Sequence, residues 1–362
     1  MENNNYKDQF EQLLALMLEA GASDLHCSAN VAPVMRIHGE LAEREDFDPF
    51  TKDQLMGIAE AILSAEQFDH LINKRSCDLG YSNKLGVRFR LNFYFERGSL
   101  AFAIRALDGT FCTFEELRLP PQLEDVVGFK DGLVLVTGAT GSGKSTTLAS
   151  IINKINESRA CHILTIEDPI EFVHSNIRSV VHQREVGDDV LSFADAIRSA
   201  MREDPDVMLL GEMRDLETMH AAITAAETGH LVFATLHTND AVGVIDRLIG
   251  MFPGDLQNTV RQQLSMCLRA VVTQTLVRSP DGHGRIPVNE ILMVNGAVSN
   301  LIRENNSTQI RSVMETGRAQ GNQTFEFALA KRVYEKFLTK EQALQLTSRK
   351  EQFENSLRVL GR

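Results

Sequence analysis

Beyond Gly132 the chain repeats one unit: a short apolar run, a loop of glycine and polar residues, then a stretch whose apolar positions recur every three or four residues. The runs are Leu133 to Thr137, His162 to Ile166, Val207 to Leu210, Leu231 to Thr235, Val271 to Leu276 and Ile286 to Leu292. These runs read as strands, the first of them, before the glycine loop, as a buried-type strand. After the first run, Leu148, Ile151, Ile152 and Ile155 form one helical stripe. Met219, Ala222, Ile223 and Ala226 form another within Leu216 to Thr228, which Gly229 ends. Strand, loop and helix in alternation predict an α/β fold with a largely parallel sheet. From Ala297 onward the pattern is helical and ends in a charged tail.

The first third follows a different rhythm. Phe10, Leu13, Leu14 and Met17 lie on one helical stripe that Gly21 can stop. Between Ala22 and Arg44 there are short strand-like pieces, such as Val34 to His38, around Pro33 and Gly39. Thr51 and Gln54 read as a capping box opening one helix, with Leu55, Ile58 and Ile62 on its stripe and Phe68 and Leu71 near its end. In Val87 to Phe95, Val87, Phe89, Leu91, Phe93 and Phe95 alternate with Arg88, Arg90, Asn92 and Tyr94. After the polar turn Glu96 to Ser99, Leu100, Phe102 and Ile104 alternate again, up to Arg105. Paired as a hairpin, these strands set Arg88, Arg90 and Arg105 on the face opposite the core. Such a trio is either an anion site or a solvated face with local carboxylate partners. The expected organisation is an α+β domain over 1–107, a linker over 108–121 marked by Gly109, Pro120 and Pro121, an α/β core over 122–296, and a helical region over 297–362.

The loop after the first buried run carries the most specific chemistry. Gly138 to Ser145 fits G-x-x-x-x-G-K-[ST], the phosphate-binding P-loop. Glycines at 138, 141 and 143 let several N–H groups converge on one anion, and the helix that follows adds the positive end of its dipole. Gly138, Thr140, Gly141, Ser142, Gly143, Lys144, Ser145 and Thr146 are therefore the candidate ATP-binding residues. Lys144 suits the β- and γ-phosphates and the Ser145 hydroxyl suits Mg²⁺.

In open α/β sheets ligands bind beyond the carboxyl ends of the strands. Glu167 and Asp168 follow the second run, Glu212 the third and His237 the fourth. Phosphoryl transfer to water needs charge neutralisation and a group that orients the water. Glu212 suits the metal's water shell and Glu167 the water-orienting base, although spacing alone also admits the reverse. His237 is a γ-phosphate sensor or a structural histidine, and His230 stands at the far end of the same strand.

Charge and composition narrow the field. The net charge of −12 argues against a protein that coats nucleic acid, and the excess is concentrated early: residues 1–125 hold 12 Lys and Arg against 21 Asp and Glu. No apolar run approaches the length of a membrane span and Met1 to Phe10 is polar, so neither insertion nor a secretory signal is expected. Five scattered cysteines without a C-x-x-C suit a reducing, cytoplasmic setting and offer no zinc site.

The runs TGATGSGKSTTLA (137–149), HILTIEDPIEFVH (162–174), HQREVG (182–187), AMREDPDVMLLGEMRD (200–215) and TAAETGHLVFATLHTND (224–240) resemble the secretion-type hexameric ATPases, above all the PilT branch of type IV pilus retraction motors. GASDLH (21–26) and the Arg88 and Arg90 strand extend the resemblance over nearly the whole chain. It implies a PAS-like N-terminal domain, a RecA-like ATPase domain and a homohexameric ring powered by Mg-ATP. The ring would sit at the inner face of the cytoplasmic membrane against a pilus platform protein, with a paralogous ATPase as a further partner. It also implies that Glu167 is the catalytic base, Glu212 the Walker B carboxylate, His230 and His237 a histidine box, and Arg88, Arg90 and Arg105 arginines that reach nucleotide at a domain or subunit boundary. The family's AIRNLIRE element stands here as AVSNLIRE (297–304), with Ser299 for an arginine, which keeps an accessory, PilU-like role as the alternative.

Overall fold

The computed structural model describes residues 2–44, 47–107, 109–281 and 284–361. The chain forms two units, Met1–Thr110 with Pro169–Val173, and Phe111–Asp168 with His174–Arg362. Asp108, the first residue of the expected linker, lies outside the described residues. The rest of that stretch is largely absorbed by the second unit, because Phe114 and Leu119 bury their side chains in its core.

The first unit contains α1 (Glu2–Glu19), β1 (Ala22–Cys27), β2 (Val34–Ile37), β3 (Glu40–Glu43), α2 (Lys52–Ile62), α3 (Ala65–Lys74), β4 (Ser76–Ser82), β5 (Arg88–Glu96) and β6 (Ser99–Leu107). Its sheet runs β3-β2-β1-β6-β5-β4 with every pair antiparallel. Phe89, Leu91 and Phe93 of β5 and Leu100, Phe102 and Ile104 of β6 meet the α1 stripe Phe10, Leu13, Leu14 and Met17 in one core. The β5–β6 turn places both Arg97 (φ 47°) and Gly98 (φ 75°) in the left-handed region, as a two-residue turn matched to strand twist requires. The single helix expected after Thr51 is two helices. Ser64 and Gln67 make a second capping box, so the chain leaves helical geometry at Leu63 and re-enters at Ala65.

The second unit contains α4 (Gln122–Val127), β7 (Gly132–Thr137), α5 (Lys144–Ser158), β8 (His162–Glu167), β9 (Val180–Glu185), α6 (Phe193–Ala200), β10 (Val207–Leu210), α7 (Leu216–Glu227), β11 (Leu231–Leu236), α8 (Gly243–Gly250), α9 (Gln257–Cys267), β12 (Leu268–Arg278) and β13 (Arg285–Met293). Five further helices close it: α10 (Gly296–Arg303), α11 (Ile310–Thr316), α12 (Phe325–Tyr334), α13 (Lys340–Leu346) and α14 (Lys350–Leu360). The sheet runs β13-β12-β7-β11-β10-β8-β9, parallel throughout except for β13. Alternate residues of each strand feed two cores. Val134, Val136, Leu209 and Phe233 pack with the α5 stripe Leu148, Ile151, Ile152 and Ile155. Leu133, Leu135, Met208, Leu210, Val232 and Ala234 pack with Ile197 of α6 and Met219, Ala222 and Ile223 of α7. This two-sided burial is why the runs lack alternation.

Candidate nucleotide site

Four parallel strands, β7, β11, β10 and β8, deliver their carboxyl ends to one edge of the second unit's sheet. Along the chain the groups they carry come in the order P-loop, Glu167, Glu212, His237. Across the sheet the order is P-loop, His237, Glu212, Glu167. With neighbouring strands about 4.8 Å apart, Glu167 ends a strand roughly 14 Å from the P-loop strand, and Glu212 one roughly 10 Å away.

The P-loop leaves β7 through buried Gly138 and enters α5 at Gly143, whose φ of 83° belongs to the left-handed region. Lys144 is 8% exposed, and its Nζ donates to the carbonyls of Gly138 (2.9 Å) and Ala139 (3.1 Å). Thr140, Gly141 and Ser145 face solvent, Thr146 is half-buried and Ser142 is buried. Beside the loop lies a cavity of about 490 Å³, lined in part by Gly143, Thr146, Thr147, Leu276 and Arg285. The cradle and the start of α5 are therefore placed to hold phosphate with a cavity alongside for the remainder of a ligand.

Glu212 lies between two partners: Oε1 is 2.9 Å from His237 Nε2, and Oε2 is 2.7 Å from an Arg214 terminal nitrogen. Burial pushes its carboxyl upward, but Arg214 and then His237 outweigh that and hold it below the ordinary value. An ionised carboxylate only accepts hydrogen bonds, so the His237 Nε2 carries the proton. The His237 carbonyl in turn accepts from Arg247 (3.0 Å), fixing the start of the loop after β11. Glu167 Oε1 accepts from Thr165 (2.7 Å) and Gln183 (3.3 Å), and Thr165 and Gln183 are register partners on β8 and β9.

His230 is not brought to this edge. It precedes β11, with Nδ1 3.0 Å from the Ala225 carbonyl, about 20 Å along the strand from His237. In the first unit Arg90 and Arg105 face each other across β5 and β6, and Arg88 is on the same side. Arg105 pairs with Asp24 (2.8 Å) and Arg90 with Asp78 (3.4 Å), so each of these facing guanidiniums has a local carboxylate. Arg88 donates to the Ile170 carbonyl (3.0 Å) and to Ser82. Among the described residues no group of three His, Cys, Asp or Glu side chains could hold a metal by itself. No helix among them is long and apolar enough to cross a membrane.

Three polar partners escaped sequence reasoning. Arg214 stands two residues beyond Glu212, a spacing that could have marked it. Gln183 required recognising β9, a strand whose sequence VVHQRE is mostly polar. Gln274, under the P-loop, sits in a run that reads as ordinary core.

A family described as type II/IV secretion system protein matches residues 114–361. A type IV pilus retraction ATPase, PilT, of Pseudomonas aeruginosa is 42% identical over 332 residues, 92% of this chain and 96% of that protein. A twitching motility protein of Neisseria gonorrhoeae is 44% identical over 313 residues, 86% of this chain and 83% of that one. The crystal structure of the pilus retraction motor PilT with bound ADP superposes with a TM-score of 0.88 at 42% identity, covering 95% of this chain and 98% of that one. With the P-loop, the acidic strand ends and this likeness over most of the chain, the chain belongs to the type II/IV secretion system protein family and is a PilT-like retraction ATPase within it.

Proposed function

We propose that this chain binds Mg-ATP in the 138–146 cradle and spends the hydrolysis on retracting a type IV pilus, working as a homohexameric ring against an inner-membrane platform protein. The observation that carries the proposal is the common strand edge, to which β7 brings the P-loop and β10, two strands away, brings Glu212 held by His237 and Arg214. Lys144 supplies a fixed positive charge to the β- and γ-phosphates, and the loop N–H groups donate hydrogen bonds to the phosphate oxygens. Ser145, an exposed residue on the first turn of α5, and Glu212 carry hard oxygen donors, a hydroxyl and a carboxylate, which fits Mg²⁺. Bound there, the ion would neutralise charge on the phosphates. Glu167, oriented by Thr165 and Gln183, positions the attacking water and takes its proton.

Arg88, Arg90 and Arg105 are proposed to stabilise phosphate charge from a neighbouring copy, exchanging Asp78 and Asp24 for the nucleotide. His237 is the histidine proposed to respond to the γ-phosphate, because its imidazole already touches Glu212.

The test is ATP turnover, oligomeric state and pilus retraction for the wild type, Lys144→Ala and Glu167→Gln. Lys144→Ala should lose nucleotide binding, and Glu167→Gln should bind ATP but turn over roughly a hundred to ten thousand times more slowly. An unchanged rate for Glu167→Gln would remove it from the role of base.

A further inference from the structure

The floor of the phosphate cradle is a side chain from another strand. Thr273 of β12 is in register with Thr137, the last residue of β7, and their buried hydroxyls lie 2.7 Å apart. The next residue, Gln274, is 2% exposed and lies under the loop. Its Nε2 donates to the Ser142 carbonyl (2.7 Å), and its Oε1 accepts from the Thr147 hydroxyl (2.8 Å) and from Asn289 Nδ2 on β13 (2.8 Å). The two loop glycines fit around it. A Cβ at Gly143 would lie 2.8 Å from Gln274 Nε2, and one at Gly138 would collide with the Gln274 main-chain oxygen.

We infer that Gln274 is a positioning residue for the phosphate site, setting the direction of the Gly143 N–H through its grip on the Ser142 carbonyl. The inference rests on the reading of 138–146 as a nucleotide cradle. In a planar trans peptide the C=O and the following N–H point in opposite directions. Holding Ser142 O down towards β12 therefore turns Gly143 N–H up to the phosphate side, and keeps a carbonyl dipole from presenting its negative end to the anion. The bond to Thr147 fixes the first turn of α5 to the same amide, so loop and helix share one anchor. The amide has one workable orientation: a carbonyl can only accept, so the NH₂ faces Ser142, while Thr147 and Asn289 supply the donors for the oxygen.

This geometry separates two substitutions. Gln274→Met keeps the volume and removes all three hydrogen bonds. Gln274→Glu is isosteric, and its effect depends on protonation. A neutral carboxyl donates to Ser142 O and accepts from Thr147 and Asn289 as the amide does, whereas the ionised form has no donor. Burial favours the neutral form at lower pH.

The experiment is calorimetric titration of the full chain with ADP and, separately, with inorganic pyrophosphate. It compares the wild type, Gln274→Met, Gln274→Glu and Lys144→Ala from about pH 6 to about pH 9, a range across which a buried carboxyl changes charge. Gln274→Met should weaken both ligands roughly ten- to a hundredfold at every pH, the loss of one or two charge-assisted hydrogen bonds. Gln274→Glu should bind close to wild type at the acid end and fall away as pH rises, a profile that general damage to the core does not produce.

Wild-type affinity in Gln274→Met, with Lys144→Ala impaired, overturns the inference and leaves the nucleotide reading intact. Unimpaired binding by Lys144→Ala removes the nucleotide reading, and this inference with it. Should Gln274→Met fail to fold, Gln274→Glu decides alone, and an affinity ratio to wild type that stays constant across the range overturns the proposal.

Discussion

Arg311→Met should destabilise the second unit by about 3–5 kcal/mol at neutral pH. The Arg311 guanidinium lies between two buried carboxylates, with one terminal nitrogen 2.6 Å from Glu326 Oε2 and the other 3.6 Å from Glu290 Oε1. Glu290 is 2% exposed and Glu326 is 5% exposed. Glu290 also accepts the Ala241 N–H (2.8 Å), and Glu326 accepts the Thr347 hydroxyl (3.1 Å). Two acids share one base, and burial above all pushes the Glu290 carboxyl upward, with Ala241 N–H and then Arg311 opposing only in part. Methionine keeps the aliphatic bulk and removes the opposing charge, so the remaining response is proton uptake by an acid. The sign follows. A carboxyl raised in the folded state supports folding fully below its unfolded value, near pH 4.5, and that support is lost as pH rises through the folded value. The variant's larger upward shift therefore makes its deficit greater at about pH 8 than at about pH 5. Urea denaturation followed by circular dichroism, with hydrogen exchange over α11 and α12, measures both quantities. Adding Glu290→Gln should return part of the loss. A deficit below about 1 kcal/mol, the range of an exposed pair, would refute the reasoning, as would one that does not change with pH.

Burial pulls the His174 pKa from 6.5 down to about 4 where the ring packs at a tilt against Phe111, with centroids 4.6 Å apart and planes 40° apart. The fold accepts the neutral ring, so its contribution is complete above pH 6.5 and is lost as pH falls towards 4; His174→Phe should remove up to ~3 kcal/mol of acid sensitivity, read from denaturation midpoints along that range. Gly138→Ala should abolish ADP binding, because its φ of 142° and the Gln274 carbonyl leave no room for a Cβ, and calorimetry on a variant that still unfolds cooperatively would show it. Ser64→Ala removes the capping box of α3 and should cost the first unit about 1 kcal/mol in urea denaturation without changing ATP turnover.

The parts of the fold that sequence made legible are those whose signal is local. A P-loop is a backbone shape written in consecutive residues, and Gly138, Gly143 and Lys144 occupy the positions that shape demands. The β5–β6 hairpin is likewise local, since alternation decides which residues enter the core and the turn decides register. What stayed hidden is lateral. β4 (SCDLGYS) and β9 (VVHQRE) have weak patterns of their own and are strands because β5 and β8 offer them partners. Gln183, Asn289 and Gln274 act through contacts that no spacing along the chain encodes. The capping box at Ser64 was local and readable, but a continuous apolar stripe masked it, which shows periodicity overriding punctuation.

The reversal between chain order and sheet order bears on which acid does what. In-line phosphoryl transfer lines up a leaving oxygen, the phosphoryl group with its metal, and an attacking water. The strand edge offers, in the same sequence, the P-loop, then His237 and Glu212, then Glu167. A leaving diphosphate gripped by Lys144 and the loop N–H groups would have the metal-facing acid next to it and the water-facing acid outermost. The alternative, with Glu212 as base, would seat the water between the cradle and a second carboxylate that has no task. Acceptor arithmetic agrees. A carboxylate has about four lone-pair directions, of which His237 and Arg214 take one each at Glu212, leaving two that the proposed metal's water shell would use. The partners of Glu212 hold it as an anion, which suits a group that must face a cation throughout. Glu167 Oε1 accepts from Thr165 and Gln183, which orient its carboxylate at the outer end of that order, where the proposed water-orienting base would stand.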